Sequence, residues 1–201
     1  MSAQPYTYMT VDEYLAFEET NPAKHEYYQG RVFLLAGGNE AYAIITSNIN
    51  AILNLQVRER PCTVYTSDMK VKVERTKLYT YPDVSVVCGP AQFEDTTRRV
   101  LLNPTALIEV LSESTEKYDR GKKFQNYRTI DSLQEYLLVA QESMQIDHYV
   151  RQPDNFWLLS SASAEDEQIV LPSIHCHLSI KDVYNKVQFD TETDDPSMIS
   201  E

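Results

Sequence analysis

The chain has 201 residues, with 30 acidic against 18 basic side chains and a formal net charge of -12 at pH 7. Hydrophobic residues make up 42% and charged residues 24%. These fractions are typical of a globular protein that is long enough to bury a core, and they exclude bulk disorder. No run approaches the length of a membrane span, and the start, MSAQPYTYMTVDEYL, lacks the basic and apolar regions of a signal peptide. The composition therefore predicts a cytoplasmic protein that has no membrane partner.

The first half of the chain predicts a helix, a hairpin, a second helix and three strands. Thr10 and Glu13 form a capping-box pattern that starts the first helix, in MTVDEYLAFEE. Two short strands follow in KHEYYQGRVFLL and meet at Gln29 and Gly30. Apolar residues recur at helical spacing in AYAIITSNINAILNLQVRER, whereas CTVYTS, MKVKVER and PDVSVVC have the composition of strands.

The second half predicts a strand, helix and strand crossover followed by a hairpin. Residues 89–104 are polar and turn-rich, which indicates a surface loop. TALIEVLS and EYLLVA predict strands on either side of a helix in KYDRGKKFQNYRTI, and this order is typical of a mixed α/β core. MQIDHYVRQ and FWLLSSA predict a trailing hairpin, and LSIKDVYNKV predicts a helix. We expect one domain over residues 1–185 and an acidic, disordered tail over residues 186–201.

Cysteine and histidine give little sign of a metal site. Cys62, Cys88 and Cys176 are widely spaced and form no CxxC pair, so we expect reduced, buried thiols. His175 and His177 flank Cys176, but no second group of ligands lies near them in sequence, which favours ordinary surface or packing roles.

An acid in the middle of an apolar strand is the strongest anomaly of the sequence. Glu109 interrupts TALIEVLS, and an unpaired buried carboxylate is costly unless a cation or a donor compensates it. Asp83 follows Pro82 at the start of another apolar strand. Two carboxylates on adjacent strands can share a divalent ion such as Mg²⁺ or Mn²⁺. Pro-Asp is also a common turn dipeptide, and a strand acid often pairs with lysine, so a structural role stays open.

Two lysines lie at the start of the helix that follows the Glu109 strand. An amine of Lys122 or Lys123 could turn back over the carboxylates and orient or help deprotonate a water molecule. A lysine pair on a helix is also common on a solvated face. Glu26, in KHEYYQG, is a further acid flanked by aromatic residues, with the same alternative of surface pairing. Dinucleotide, Walker, serine-hydrolase and zinc-protease motifs are all absent from the sequence.

The ordered set of these residues resembles a known family. Glu26 in HEYYQGRV, Asp83 in YPDVSVVC, Glu109 in LIEVLSEST and Lys123 in YDRGKKFQNY, followed by LQEYLLV, are similar to the Uma-two family. That family is a bacterial branch of the PD-(D/E)xK nuclease superfamily, and the resemblance covers roughly residues 8–160. It implies a restriction-endonuclease-like core, with a mixed sheet flanked by helices, and here an N-terminal extension made of a helix and a hairpin.

The resemblance also implies a catalytic site. Asp83 and Glu109 would bind Mg²⁺ or Mn²⁺, Glu26 would complete the ligand shell, and Lys123 would position the nucleophile. In the superfamily's usual pattern the lysine follows the second acid by two residues, where this chain has Leu111. Members of the family often have a histidine at the position that we align with Tyr42, so its absence predicts weakened or altered activity.

The leading hypothesis is a metal-dependent endonuclease whose substrate is DNA. A binding or assembly module that keeps the nuclease fold, or a metallohydrolase acting on a small phosphorylated molecule, are the alternatives. The acidic charge opposes DNA binding, but ten acids and only three bases lie in residues 151–201, whereas residues 117–128 hold five bases and one acid. The fold class leaves a homodimer open, with the HYV and FWLL strands as an interface or as internally packed strands.

Overall fold

The computed structural model describes residues 8–165 and 167–189. Helical segments lie in four parts of the chain, and the third contains a π-helical turn at Asp119–Lys123: α1 (Val11–Thr20), α2 (Glu40–Val57), α3 (Glu116–Tyr118), α4 (Phe124–Tyr127) and α5 (Ile180–Val183). The strands are β1 (His25–Tyr28), β2 (Arg31–Leu34), β3 (Cys62–Thr66), β4 (Lys70–Val73), β5 (Leu78–Thr80), β6 (Val84–Cys88), β7 (Val100–Leu101), β8 (Ala106–Leu111), β9 (Glu135–Ala140), β10 (Ile146–Arg151), β11 (Trp157–Ala162), β12 (Gln168–Leu171) and β13 (Cys176–Ser179).

Local sequence signals account for the N-terminal elements. Thr10 and Glu13 form the predicted reciprocal capping box of α1. Gln29 and Gly30 both have positive φ, at 50° and 84°, as the tight turn between β1 and β2 requires. Ile45, Ile49 and Leu53 of α2, which are spaced four residues apart, are fully buried, and they define the face that this helix packs on the sheet.

The strands form a mixed six-stranded sheet, a five-stranded sheet and a small hairpin. The six-stranded order is β11-β10-β9-β8-β6-β3, the five-stranded order is β2-β1-β5-β4-β7, and β12 pairs with β13. The β8 and β9 strands run parallel, joined by the helical segment, so the predicted crossover is confirmed. The predicted fold class, a mixed sheet flanked by helices, is confirmed.

The central strands of the six-stranded sheet, β6, β8 and β9, are buried on both faces, and alternation along β8 assigns its side chains to the two faces. Ala106, Ile108 and Val110 pack in one core cluster with α2 and with β12 and β13. Leu107 and Leu111 pack in another cluster with Tyr127 and with β4 and β5. Glu109 has the parity of Leu107 and Leu111, so it lies on the face turned toward the second sheet.

Several predictions from local sequence are wrong. The segment 89–104 contains β7, which pairs in parallel with β4, and β5, β12 and β13 were missed because they have only two to four residues each. The predicted helix LSIKDVYNKV begins as β13 and is helical only over Ile180–Val183. The predicted domain boundary at residue 185 stays a prediction: Val187 and Phe189 pack against the core cluster of α2, and residues 190–201 of the predicted tail lie outside the described residues.

The cysteine prediction is also wrong. Cys62 and Cys88 lie directly opposite each other on β3 and β6 and form a disulfide, whereas Cys176 is a buried free thiol. Sequence spacing hid this pair because the antiparallel register, and not proximity along the chain, brings the two residues together. None of the helices within the described ranges is long and apolar enough to cross a membrane.

Candidate functional site

Two neighbouring strands place Asp83 and Glu109 opposite each other. Val84 of β6 pairs with Ile108 of β8 in antiparallel register, and one further step places Asp83 across from Glu109, on the same face. The main-chain N–H of Val110 donates to Asp83 Oδ2 over 2.7 Å. Both carboxylates are buried, with 8% exposure for Asp83 and 3% for Glu109. The sheet therefore holds two acids side by side away from bulk water.

Lys123 reaches the acids from the π-helical turn, a distortion that is frequent at functional sites. Its Nζ lies 2.9 Å from Glu109 Oε1, 3.3 Å from Asp119 Oδ1 and 3.4 Å from Glu26 Oε1. Asp119 and Lys123 are the two buried ends of the turn, whereas Lys122 points to solvent and lies over the ring of Tyr28. The structure thus assigns the contact to Lys123 and not to Lys122.

Burial and charge set the protonation of this cluster. Burial raises the pKa of Glu109 well above its ordinary value, and repulsion from Asp83 adds to that effect, although Lys123 opposes it. Burial likewise raises the pKa of Asp83, against the hydrogen bonds from Tyr42 and Val110. Burial alone would lower the pKa of Lys123, but Glu109 and the other surrounding groups raise it well above its ordinary value. Lys123 is therefore an ammonium that can orient and stabilise negative groups but cannot accept a proton from water.

Hydroxyl groups hold the carboxylates in place. Tyr127 OH donates to Glu109 Oε1 over 2.7 Å, one helical turn beyond Lys123. Thr80 Oγ1 donates to Glu26 Oε1, and Tyr118 OH lies 3.4 Å from Glu26 Oε2. Sequence analysis missed these three residues. The i, i+4 spacing of Lys123 and Tyr127 is the one signal that could have indicated a shared face.

Tyr42, at the position where the resemblance implied a histidine, contacts the same site. Its hydroxyl donates to Asp83 Oδ1 from the first turns of α2. Burial and the neighbouring Asp83 raise the pKa of Tyr42, so the phenol stays neutral and acts as a donor. The residue at this position therefore fixes one oxygen of Asp83.

These groups line one open cleft of about 820 Å³ between the two sheets. The buried charged side chains that line it, and form its floor, are those of Glu26, Asp83, Glu109, Asp119 and Lys123, and the half-buried Lys24 also lines the cleft. Its rim is mostly small or polar, with Gly37, Gly38, Asn39, Ser112, Ser114 and Thr115. Acids outnumber bases on the floor, so the cleft by itself attracts cations.

Comparison with known proteins identifies the family. The family model Uma2, described as "Putative restriction endonuclease", matches residues 11–181. The chain belongs to the Uma2 family. Two curated relatives of this chain from Synechocystis sp. (strain ATCC 27184 / PCC 6803 / Kazusa) are both described as uncharacterized. The protein slr1290 is 35% identical over 92% of this chain and 96% of its own length, and sll1609 is 35% identical over 80% and 91%.

A solved structure shares the fold of this Uma2 chain. It is a crystal structure titled as a "putative nuclease belonging to DUF820" from Anabaena variabilis ATCC 29413. The TM-score is 0.70 at 21% sequence identity, and the match covers 88% of this chain and 97% of that one. This likeness shows that the two chains share a fold.

The four residues predicted for the Uma2 site converge in the cleft. Glu26, Glu109 and Lys123 are in direct contact, and Asp83 lies beside Glu109. Asp119 joins the cluster without having been predicted. The roles of these residues stay predictions, because proximity alone does not assign them.

The donor set fits a hard divalent cation at Asp83 and Glu109 more closely than at Glu26. Two buried carboxylates that repel each other gain from such an ion, which binds oxygen and commonly keeps several waters. Glu26 instead directs Oε1 at Thr80 and Lys123, and Oε2 at Tyr118. Within residues 8–165 and 167–189, no three His, Cys, Asp or Glu side chains stand close enough together to form a complete ligand cage. Water or substrate oxygen would have to supply the remaining ligands.

Proposed function

We propose that the chain is a metal-dependent endonuclease that hydrolyses DNA phosphodiester bonds with Mg²⁺ or Mn²⁺. The observation that carries this proposal is the pairing of Asp83 with Glu109 in an open cleft, with the Lys123 ammonium 2.9 Å from Glu109 Oε1. Membership in the Uma2 family supports the nuclease class. The metal, the DNA substrate and the residue roles are what this proposal adds.

Each side chain has a defined part in the proposed reaction. Asp83 and Glu109 would hold the cation, which would supply Lewis acidity toward a phosphodiester and would lower the pKa of a water molecule. Lys123 is held by Glu26 and Asp119 on its other sides, so its charge is fixed beside the phosphate position. Tyr127 fixes Glu109 through its hydroxyl. Lys123 is charged as an ammonium, and the proposed reaction does not require it to act as a base.

The acidity of the protein limits how it holds DNA. The net charge of -12 repels phosphates, and the acids of the cleft floor add to this locally. A bound divalent ion would neutralise part of the floor. We therefore expect weak DNA binding without the metal and stronger, salt-sensitive binding with it.

Cleavage assays test the proposal directly. Supercoiled plasmid and single-stranded DNA are incubated with Mg²⁺, Mn²⁺ or EDTA and with the wild type, Glu109→Ala or Glu109→Gln. Glu74→Gln is the matched control, because Glu74 is an exposed acid outside the cleft. We expect metal-dependent cleavage by the wild type and the control, and none by the Glu109 variants. Cleavage that needs no metal, or that survives loss of Glu109, would contradict the proposal.

A binding module without catalysis is the second candidate, and the Tyr42 contact favours it. The phenol donates a hydrogen bond to Asp83 Oδ1, an oxygen that would otherwise be free to bind a metal ion. Isothermal titration of Mn²⁺ into wild type, Asp83→Asn and Tyr42→Phe separates the two. Binding that requires Asp83 supports the enzyme, and no binding by wild type or Tyr42→Phe supports the module. Turnover of a generic phosphodiester without DNA affinity would instead indicate a small phosphorylated substrate.

A further inference from the structure

The outer edge of β11 is an open strand edge with no protective residues. β11 is the terminal strand of the six-stranded sheet, so on one side its backbone groups pair with no strand of the described ranges. Its six residues, WLLSSA, include no charge and no proline. Natural sheets usually protect such edges with lysine, proline or a bulge, because an unpaired edge can recruit another strand.

Apolar side chains are exposed on both faces of this edge. Leu158 is 59% exposed and has the parity of Ser160 and Ala162, whereas Leu159, 50% exposed, lies on the opposite face. Phe156, at 70%, directly precedes the strand. A strand that meets water on one face alternates apolar and polar residues, whereas apolar residues on both faces are typical of a strand inside a sheet. β11 therefore has the pattern of an interior strand at an edge position.

A concavity of about 480 Å³ lies beside the edge, on the face of Leu158. Val150 and Ala162 from the sheet and Ile169 and Val170 from β12 supply its apolar lining. Val170 is itself 59% exposed. Polar groups, among them His148, Ser160 and Glu167, also line the hollow, so the chain presents an exposed leucine and a partly apolar hollow within the same few residues.

We propose that β11 pairs antiparallel with β11 of a second copy of this chain, joining the two six-stranded sheets into one. The two-fold axis would stand perpendicular to the sheet, so the same face of both copies would lie on the same side of the joined sheet. Residues opposite each other across the axis would therefore have the same parity. With Ser160 on the axis, Leu158 of the second copy lies opposite Ala162, at the mouth of the concavity. The contact is isologous, because each copy supplies one leucine and one hollow.

The match between the exposed leucine and the hollow favours a second copy over a different partner. The chain's net charge of -12 opposes self-association in general, but no ionisable side chain lies on β11 to face its own like across the axis. Self-pairing also buries the exposed leucine of each copy in the hollow of the other, which a partner without that leucine would leave open. The proposal does not depend on nuclease activity.

Light scattering on a sizing column tests the association. We expect the full chain to have twice its mass of 23.2 kDa, and Leu158→Lys to have the single mass. Leu55→Lys is the matched control, because Leu55 is 73% exposed on α2, and it should stay a dimer. Circular dichroism confirms that each variant is folded. A monomeric wild type at the highest soluble concentration, or a dimer that Leu158→Lys leaves intact, would overturn the proposal.

Cross-linking tests the register independently of stability. In Ser160→Cys, the two introduced thiols face each other across the axis, and copper phenanthroline should oxidise them to an intermolecular disulfide. Ser163→Cys, an equally small change just beyond the strand, should give far less cross-linked dimer. Equal cross-linking of the two variants, or none at residue 160, would overturn the Ser160-centred register.

Discussion

Replacing Lys123 with methionine tests the charge balance of the cleft. The three carboxylate oxygens around its Nζ lie at 2.9, 3.3 and 3.4 Å. At an effective dielectric constant of about 20, each contact is worth roughly 5 kcal/mol of Coulomb energy. Desolvation and repulsion among the carboxylates offset much of this sum. Removing one partner of a buried ion pair typically costs about 3–5 kcal/mol, because the other charge is left uncompensated.

We therefore expect Lys123→Met to lower the free energy of unfolding by about 3–5 kcal/mol at neutral pH. The loss should shrink as the pH falls toward the ordinary carboxyl pKa, about 4, because protonated acids no longer need the ammonium. Mg²⁺ should stabilise the variant more than the wild type, since a cation at Asp83 and Glu109 replaces part of the lost charge. Urea unfolding of the variant and the wild type, in EDTA and in Mg²⁺ and at neutral pH and about pH 4, measures these differences in the free energy of unfolding.

Lys122→Met is the control for this experiment. Lys122 is the adjacent lysine, exposed and over the ring of Tyr28 at 4.6 Å, so its loss should cost less than about 1 kcal/mol. A Lys123→Met variant that loses no more than the control, or loses the same amount at acid and neutral pH, would refute the electrostatic reasoning.

Three further predictions concern the cleft and the disulfide. Tyr127→Phe should lower the free energy of unfolding by about 1–3 kcal/mol, measured in urea, because it removes the hydrogen bond that Tyr127 OH donates to the buried carboxyl of Glu109. Without metal, the contribution of Asp83 and Glu109 to stability should fall as the pH rises from their ordinary pKa values toward the raised folded ones, because the folded chain holds these protons more tightly than the unfolded chain. Melting curves across pH in EDTA measure this slope, and saturating Mg²⁺ should flatten it. Reduction of Cys62 and Cys88 should cost about 3–4 kcal/mol for a separation of 26 residues, and a non-reducing digest should show the linked peptides.

Matched variants control these experiments. Tyr81→Phe is the control for Tyr127→Phe. It removes a comparable hydroxyl, which donates to Glu18 over 2.7 Å outside the charged cluster, and it should leave metal binding unchanged. Glu109→Gln should weaken the pH slope, and a slope that persists would contradict its origin in that carboxyl. Cys176→Ser should keep the linked peptides, since Cys176 is the free cysteine.

Local patterns predicted the elements that depend on neighbouring residues. The capping box of α1, the turn at Gln29 and Gly30, the buried stripe of α2 and the crossover between β8 and β9 are all encoded within a few residues. The strands β5 and β7 were not predicted, because such short strands acquire their identity from their pairing partners. Their residues alone do not distinguish them from loops.

The charge of -12 and the acid at Glu109 were evident from the sequence, which by itself determined that a buried carboxylate needs compensation. Only the tertiary structure decided what provides it, since Lys123 and Tyr127, the two residues that contact Glu109 Oε1, lie on the helical segment that follows β8 and not on the strand itself. The same holds for the pairing of Cys62 with Cys88. Composition and periodicity describe residues that are neighbours along the chain. Strand register and packing decide which residues distant in sequence come into contact, and the chemistry of this cleft depends on those contacts.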